Sequence, residues 1–283
     1  MTRPYRSVLY IPAANARAME KAQSLPTDAI IFDLEDAVSP SEKPAARDAL
    51  GAALESGYGA RARIVRINGM DSEWGEDDAR ACAGPLAGKA EAVLIPKVNS
   101  AADLDVVAGI IPDTPLWAMM ETPLAMLNAA EIAAHPRLAG MVMGTNDLAK
   151  ELNSRFRADR LPMQAGLGLC VLAAKAHGKV IIDGVYNAFK DDEGLRIECE
   201  QGRDMGFDGK TLIHPAQLAV ANASFAPTEA EVELARRQIA AFDEAMAQGK
   251  GVAVVDGKIV ENLHVETARK TLDKARAIAE MAG

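Results

Sequence analysis

Short apolar runs recur along the chain and are separated by longer, alanine-rich amphipathic stretches. In order, the runs are SVLYI (7–11), AIIFDL (29–34), IVRI (64–67), AVLI (92–95), LWAMM (116–120), MVMG (141–144), KVIID (179–183) and DGKTLI (208–213). Regular alternation of strand-like and helix-like segments predicts parallel strands joined by crossover helices. Because there are eight such units, the pattern indicates a (β/α)8 TIM barrel rather than an open sheet.

The pattern changes after Pro227, where the eight units end. Three further elements are predicted in order: a helix over 228–251, a hairpin over 252–260 and a last helix over 265–281. The pair Asp256-Gly257 suits a type I′ turn in that hairpin. We therefore predict a barrel domain over 1–226 and a C-terminal extension over 227–283. The extension either braces the barrel or covers an active site as a lid.

Composition narrows the classes of function. The 283 residues are 49% hydrophobic, which is enough for one large α/β domain with an appendage. The net charge of −9 argues against a nucleic-acid partner. Three cysteines without metal spacing favour a reducing, cytoplasmic setting. The amino terminus lacks a signal-peptide pattern, and no run reaches about 18 apolar residues, so we expect neither secretion nor a membrane span.

Polar and charged residues follow five of the apolar runs directly. The segments are IIFDLED (30–36), VRINGM (65–70), VLIPKV (93–98), AMMETP (118–123) and VMGTNDLA (142–149). In a barrel the carboxyl ends of the strands converge on one mouth, so these side chains become neighbours. Carboxylates gathered with one arginine and one lysine predict a metal-assisted enzyme that acts on an anionic substrate.

Two acids, Glu121 and Asp147, each stand just past an apolar run. Two carboxylates completed by water and substrate oxygens are the usual ligands of Mg²⁺. The alternative is that both are solvated loop acids or helix caps. Thr122 and Thr145 flank them and are expected either to orient the acids or to cap the following helices.

Three more acids, Asp33, Glu35 and Asp36, crowd into four positions at the end of the second run. Clustered carboxylates need a cation nearby, or one of them must be protonated. Arg66 is the expected counter-charge, and its planar guanidinium also suits a substrate carboxylate or thioester carbonyl. A purely structural ion-pair network is the alternative, and the two roles are compatible. Lys97 is expected at the rim, in contact with acids of the neighbouring strands.

A local excess of basic residues marks the amino terminus of this acidic chain. Four basic residues stand against a single acid, Glu20: Arg3, Arg6, Arg17 and Lys21. They suit the phosphates of a ligand, although a simple solvated basic terminus explains them as well. Tyr10 ends the first run and could lie against such a ligand, and the loop 184–194 is expected to line the mouth. No HExxH or GxSxG motif is present.

Taken together, these motifs resemble the citrate-lyase-beta-like group, which includes malyl-CoA and citramalyl-CoA lyases and malyl-CoA thioesterases. The motifs that carry the resemblance are RSVLYIPAANARAMEKA, IIFDLEDAV, VRINGMD, IPKV, METP, GTNDLA and GKTLIHPAQ, all in the expected order. The resemblance implies a barrel with a carboxy-terminal lid, magnesium and an acyl-CoA ligand. It also implies homotrimers or homohexamers in which the lid reaches a neighbouring subunit's site.

The same resemblance implies roles for individual residues. Glu121 and Asp147 match the magnesium ligands, and Arg66 matches the arginine that orients the substrate's oxygens. The residues matched to substrate or CoA contacts are Tyr10, Lys21, Asn146, Ile213 and His214. Glu261 stands at the position of the catalytic acid of the lid, where lyases of the group usually have aspartate. Asn15 replaces an arginine found in some lyases.

Within the group, the chain most resembles the branch that hydrolyses (3S)-malyl-CoA. That similarity lies in METPLAMLNAAEIAAHPRL, GMVMGTNDLAKEL, LPMQAGLGLC and VAVVDGKIVENLH. We therefore expect an acyl-CoA thioesterase that uses Mg²⁺, with Mn²⁺ as another metal that such oxygen sites accept. Carbon–carbon cleavage by a malyl-CoA, β-methylmalyl-CoA or citramalyl-CoA lyase is the alternative. A non-catalytic acyl-CoA-binding subunit is a third.

Overall fold

Eight parallel strands close into a barrel in the computed structural model, which describes residues 3–282. The strands are β1 (Ser7–Pro12), β2 (Ala29–Asp33), β3 (Ala62–Arg66), β4 (Ala92–Ile95), β5 (Leu116–Met120), β6 (Leu138–Met143), β7 (Val180–Asp183) and β8 (Gly209–Leu212). Each pairs with its neighbour in sequence, and β1 pairs with β8 to close the ring. The predicted (β/α)8 TIM barrel is therefore confirmed.

Helices surround the barrel between successive strands. They are α1 (Ala16–Ala22), α2 (Lys43–Ala53), α3 (Gly75–Ala83), α4 (Ala101–Ile110), α5 (Pro123–Leu127), α6 (Ala129–Ala134), α7 (Thr145–Glu151), α8 (Gln164–Ala176), α9 (Asp192–Met205) and α10 (Leu218–Phe225). Asn15 ends α1 on the amino side, because its side chain accepts the backbone N–H of Ala18 at 3.0 Å.

Alternation along the strands separates two apolar layers. The lumen of the barrel holds Val8, Ile31, Ile64, Leu94, Trp117, Met119, Val142 and Ile182. The residues next to them, such as Leu9, Phe32 and Val65, face the helices instead. Because side chains alternate with a period of two, the residues two positions beyond Val8, Ile31 and Ile64 turn inward again at the mouth. The alternation therefore decides which side chains at the strand ends point into the mouth of the barrel.

The contacts within the chain define a second compact unit, which comprises the residues from Ala226 onward together with Arg3 and Pro4. Its elements are α11 (Glu229–Ala247), β9 (Ala253–Val255), β10 (Lys258–Val260) and α12 (Asn262–Ala282). Asp256 and Gly257 have φ values of 49° and 74°, as the predicted type I′ turn requires. The last helix begins at residue 262 rather than at 265. No helix within residues 3–282 combines the length and apolar character needed to cross a membrane.

Candidate active site

A cavity of about 280 Å³ opens at the carboxyl ends of the barrel strands. It gathers side chains that the sequence places at the ends of separate strands, as the barrel topology predicts. Its lining includes nine of the residues singled out from the sequence: Tyr10, Asp33, Asp36, Arg66, Glu121, Thr145, Asn146, Asp147 and Ile213. The expected convergence of these residues is therefore confirmed.

Asp33 and Arg66 form a buried, doubly hydrogen-bonded ion pair in this cavity. They are paired residues of the neighbouring strands β2 and β3, and both turn inward at the mouth. Arg66 Nε donates to Asp33 Oδ1 at 2.8 Å, and Nη2 donates to Oδ2 at 2.6 Å. The backbone N–H groups of Glu35 and Ala37 donate to the same carboxylate, at 2.8 and 3.1 Å. Each carboxylate oxygen of Asp33 thus accepts two hydrogen bonds, and the two from Arg66 fix the plane of its guanidinium.

The remaining edge of Arg66 faces two further carboxylates. Its Nη1 lies 2.9 Å from Glu35 Oε2, although without the alignment of a hydrogen bond, and 3.3 Å from Asp36 Oδ2. Burial raises the pKa of Glu35 to about 8, with Asp36 adding to the rise and Arg66 opposing it. The Tyr10 ring lies 5.0 Å from Arg66 Cζ in a cation–π contact. The expected ion-pair network is present.

Glu121 directly follows β5 and is only 2% exposed. Its Oε1 accepts the backbone N–H of Lys97 at 2.7 Å. Lys97 has a φ of 50°, so a left-handed turn presents this N–H to the acid while the side chain stays exposed. The expected contact between Lys97 and an acid of a neighbouring strand is therefore present, and it is made by the backbone N–H.

Burial raises the pKa of Glu121 to about 7, and the neighbouring Asp147 and Asp36 raise it further against the opposing effect of Lys97 and Arg66. Asp147 lies in the first turn of α7, and Gly144 directly precedes that helix. A Cβ at Gly144 would lie 2.6 Å from Glu121 Oε2. It would lie closer still to Glu121 Cβ, so a larger residue here would displace Glu121.

The pair Glu121 and Asp147 fits a divalent cation. Burial and the nearby negative charge both favour the protonated form of Glu121. A bound cation would instead stabilise its charged form. Within residues 3–282 no group of three or more His, Cys, Asp or Glu side chains converges as a metal site. Two protein oxygens leave room for waters and substrate oxygens, which is the coordination that Mg²⁺ prefers.

Residues beside these acids shape the rest of the mouth. Thr122 caps α5, since its hydroxyl accepts the N–H of Ala125 at 3.0 Å, whereas Thr145 is the first residue of α7 and does not cap it. Asn146 exchanges amide hydrogen bonds with Asn187 at 2.8 and 3.3 Å. The loop after β7 lines the mouth, as the sequence predicts.

Three of the residues matched to CoA contacts or to catalysis do not line the cavity. Lys21 lies exposed in the last turn of α1. The His214 ring stacks on Phe189, with 4.6 Å between the ring centroids. Glu261 is an exposed residue of the second compact unit, where it follows β10 and its N–H donates to His264 Nδ1 at 3.0 Å. The roles expected of these residues stay predictions.

The structure also reveals residues that the sequence reading missed. Met119 lines the cavity, and its Sδ lies 3.5 Å from the Tyr10 hydroxyl. Asp183 ends β7 as the mouth acids end their strands, but it faces outward because Ile182 occupies the lumen. Burial opposes the ionisation of Asp183, yet Lys210 and Arg160 outweigh that effect and lower its pKa. Because Ile182 faces the lumen, strand alternation predicts from the sequence that Asp183 faces outward, away from the mouth.

Comparison with known proteins agrees with this arrangement. Residues 6–215 match the family model of HpcH/HpaI aldolase/citrate lyase. The chain is 71% identical over 277 residues to a (3S)-malyl-CoA thioesterase from Cereibacter sphaeroides, which covers 98% of this chain and 96% of the relative. It is 35% identical to the citrate lyase subunit beta of Escherichia coli (strain K12), with coverage of 97% and 94%.

A solved structure shares the fold. Protein CitE from Mycobacterium tuberculosis, in complex with magnesium, acetoacetate and coenzyme A, has a TM-score of 0.80 and 30% sequence identity. The similarity covers 96% of this chain and 98% of that one. With the barrel, the cavity and the family match in agreement, the chain belongs to the HpcH/HpaI aldolase/citrate lyase family.

Proposed function

We propose that this chain hydrolyses the thioester of (3S)-malyl-CoA to malate and CoA. The observation that carries the proposal is the 71% identity, over 98% of this chain, to relatives named (3S)-malyl-CoA thioesterase. The cavity supports it, because Arg66 and two acids suited to a cation lie together at the mouth. That arrangement fits an anionic, oxygen-rich acyl group.

Glu121 and Asp147 would hold Mg²⁺, and Mn²⁺ suits the same oxygen ligands. Support comes from the CitE structure, which contains magnesium. When bound, the cation would withdraw electron density from the thioester carbonyl. Lys97 contributes by fixing one oxygen of Glu121 with its backbone N–H, which leaves the other oxygen for the metal.

Arg66 would stabilise the negative charge that develops on the carbonyl oxygen during attack. Its Nε and Nη2 are held by Asp33, so only the Nη1 edge is available to a substrate. That edge faces Glu35 at 2.9 Å and Asp36 at 3.3 Å, and the Asp36 side chain is 70% exposed. A donor that is already oriented stabilises the transition state without a reorganisation cost.

Glu261 would act as the general base. It would take a proton from the attacking water, the new C–O bond would form, and the C–S bond would break to release the CoA thiolate, which takes up a proton. The side chain of Glu261 is one methylene longer than that of the aspartate usual in the lyases, so its carboxylate lies further from the backbone. General-base catalysis depends on the distance between the carboxylate and the proton that it takes. The C-terminal extension 227–283 would serve as the lid that brings this residue to a site.

The remaining contacts follow from the same family pattern. Tyr10, Lys21, Ile213 and His214 would contact CoA, and Asn146 would lie beside the acyl group. We also propose a homotrimer or homohexamer in which the extension completes a neighbouring subunit's site. A cytoplasmic location fits the three buried, unpaired cysteines.

Carbon–carbon cleavage is the second candidate function. It is favoured by the 35% identity to citrate lyase subunit beta and by a cavity that would serve a lyase equally well. In that reaction the same base would take the proton of the 3-hydroxyl group, and the products would be acetyl-CoA and glyoxylate. β-Methylmalyl-CoA would give propionyl-CoA instead.

Isotope labelling separates the two reactions. The purified protein, (3S)-malyl-CoA and Mg²⁺ are incubated in H₂¹⁸O, and the acid product is examined by mass spectrometry. Hydrolysis predicts malate with one ¹⁸O in a carboxylate and an equal amount of CoA. Unlabelled glyoxylate at early times, with acetyl-CoA and no malate, would replace the proposed function with the lyase reaction.

A further inference from the structure

Lys43 is a buried cation that the proposed reaction does not use. It is the first residue of α2 and is 5% exposed. Its Nζ donates to the backbone carbonyl oxygens of Leu34 and Glu35 at 3.0 and 2.7 Å, and to Asn68 Oδ1 at 2.6 Å. All three acceptors are uncharged oxygens, whereas a buried lysine is normally paired with an acid. A cation at the amino end of a helix also opposes the helix dipole, so local structure does not explain its position.

The two carbonyl groups belong to the loop that holds Asp33. The peptide unit between Leu34 and Glu35 is bound at both ends, because its oxygen accepts from Lys43 and its N–H donates to Asp33 Oδ1 at 2.8 Å. The same oxygen of Asp33 accepts Arg66 Nε at 2.8 Å. A cation at a carbonyl oxygen polarises the peptide unit and strengthens the hydrogen bond that its N–H donates. Lys43 is thus linked to Arg66 through one peptide unit and one carboxylate.

The loop does not need Lys43 to satisfy its carbonyl groups. The oxygen of Leu34 also accepts Asn68 Nδ2 at 2.8 Å, and the oxygen of Glu35 also accepts the N–H of Val38 at 3.2 Å. Loss of the ammonium group would therefore leave both carbonyl groups with a partner. Such a change removes a charge and the orientation of two peptide units without leaving the backbone unsatisfied.

A buried network holds the ammonium group of Lys43 in place. Its acceptor Asn68 donates to Asp78 Oδ2 through Nδ2 at 2.6 Å and through the backbone N–H at 2.9 Å. Arg47 Nε donates to the other oxygen of Asp78 at 2.8 Å. The Nζ of Lys43 also lies 5.1 Å from the centroid of the Trp74 ring. The position of this cation is therefore fixed independently of the loop that it contacts.

We propose that Lys43 is a positioning residue of the reaction. It fixes the peptide units of residues 34–36, these fix Asp33, and Asp33 sets the direction of the Arg66 guanidinium. Lys43 lies outside the lining of the cavity and acts only through these groups. Its loss should lower kcat and leave KM nearly unchanged, because the donor that it aligns acts on charge that develops in the transition state. These kinetic expectations rest on the proposed function.

A double-mutant cycle tests the link between Lys43 and Arg66. Lys43→Met keeps the length of the side chain and should lower kcat about 10- to 100-fold. In an Arg66→Lys background the guanidinium that the loop aligns is absent, so the same change should lower kcat less than about twofold. Lys179→Met is the matched control, since Lys179 Nζ also donates to a backbone carbonyl, that of Leu138 at the amino end of β6, and should keep kcat and KM.

Hydrogen exchange at Arg66 Nε gives a second readout that does not depend on turnover. In protein labelled with ¹⁵N-arginine, the Nε–H signal of Arg66 is the one that disappears in Arg66→Lys. Its exchange should be at least about tenfold faster in Lys43→Met and unchanged in Lys179→Met. Lys43→Gln, which removes the charge and shortens the side chain, should give the same pattern and is used if Lys43→Met does not fold.

Thermal melting establishes which variants are folded. In a folded Lys43 variant, exchange at wild-type rate, or an equal loss of kcat with and without Arg66→Lys, would overturn the positioning role. Glyoxylate as the product of the wild-type protein, or no turnover at all, would instead refute the proposed function. The exchange measurement would still decide the role of Lys43.

Discussion

Asp33 and Arg66 face each other across paired positions of β2 and β3 and share two hydrogen bonds, of 2.8 and 2.6 Å. The guanidinium that the reaction would use is thus oriented by the barrel itself. Because both donors of one edge are occupied, the substrate meets only the Nη1 edge. The register of β2 and β3 therefore sets the direction of the one guanidinium edge that a substrate could reach.

Replacing Asp33 with asparagine should reduce both stability and activity. Loss of one partner from a buried ion pair destabilises proteins by about 3 kcal/mol, and the released guanidinium would turn towards Glu35 and Asp36. We expect kcat to fall with little change in KM. Chemical denaturation and steady-state kinetics measure the two effects. Asp36→Asn, at the 70% exposed acid, is the control and should stay within about 0.5 kcal/mol of wild type.

Stability without metal should fall as pH rises, because the pKa of Glu121 is raised to about 7 by burial. In the unfolded chain this acid titrates near its ordinary value of 4.5. Between these values the folded state binds the extra proton, so the unfolding free energy decreases with pH. The contribution of Glu121 to the free energy of unfolding is fully present below pH 4.5 and is lost as the pH rises through 7. Its size is about 3 kcal/mol.

Denaturation curves of EDTA-treated protein at several pH values measure this effect. Glu121→Gln should make the decrease between pH 4.5 and pH 7 less steep, while Glu35, whose pKa is raised to about 8, keeps its own share of it. Equal slopes in the two proteins would contradict the role of Glu121. Mg²⁺ affinity should fall about tenfold per pH unit below 7, because the metal competes with one proton.

Gly144→Ala should weaken metal binding although it adds a single methyl group. The new Cβ would lie 2.6 Å from Glu121 Oε2 and closer still to Glu121 Cβ, so Glu121 must shift from its position. Displaced ligands of this kind typically lower metal affinity about 10- to 100-fold. Titration with Mg²⁺ measures the change. Gly168→Ala in α8, where a Cβ meets nothing within 4 Å, should bind the metal as wild type does.

Glu261→Gln should abolish turnover and leave folding intact. Loss of a general base typically lowers kcat about 10²- to 10⁴-fold, and an exposed glutamate contributes little to stability. Kinetics and thermal melting test the two halves separately. Glu266→Gln, at an exposed position of α12, is the control and should turn over normally. A near wild-type rate in Glu261→Gln would remove this residue from the mechanism.

Much of the mouth could be predicted because strand alternation is visible in the sequence. Tyr10, Asp33 and Arg66 each stand two positions beyond a lumen residue, so the pattern that defines the core also fixes their direction. Parallel strands then bring their ends together. The predicted convergence of the acids on Arg66 follows from these two regularities alone.

Other features depend on backbone geometry or on loops. The left-handed turn at Lys97 carries no sequence signal, because lysine rarely adopts a φ of 50°. Arg160 lies in a polar connection between α7 and α8, and its burial arises only when Asp183 and Lys210 pack outside the barrel. Periodicity does not describe such contacts, so this buried ion-pair network was not foreseen.

Hydrolysis and carbon–carbon cleavage are told apart by an incubation of purified protein with (3S)-malyl-CoA and Mg²⁺, in which free thiol and glyoxylate are followed in parallel. Hydrolysis predicts that CoA thiol and malate appear in equal amounts, without glyoxylate. Glyoxylate accompanied by acetyl-CoA, with no free thiol, would contradict it and show that the same cavity cleaves a carbon–carbon bond.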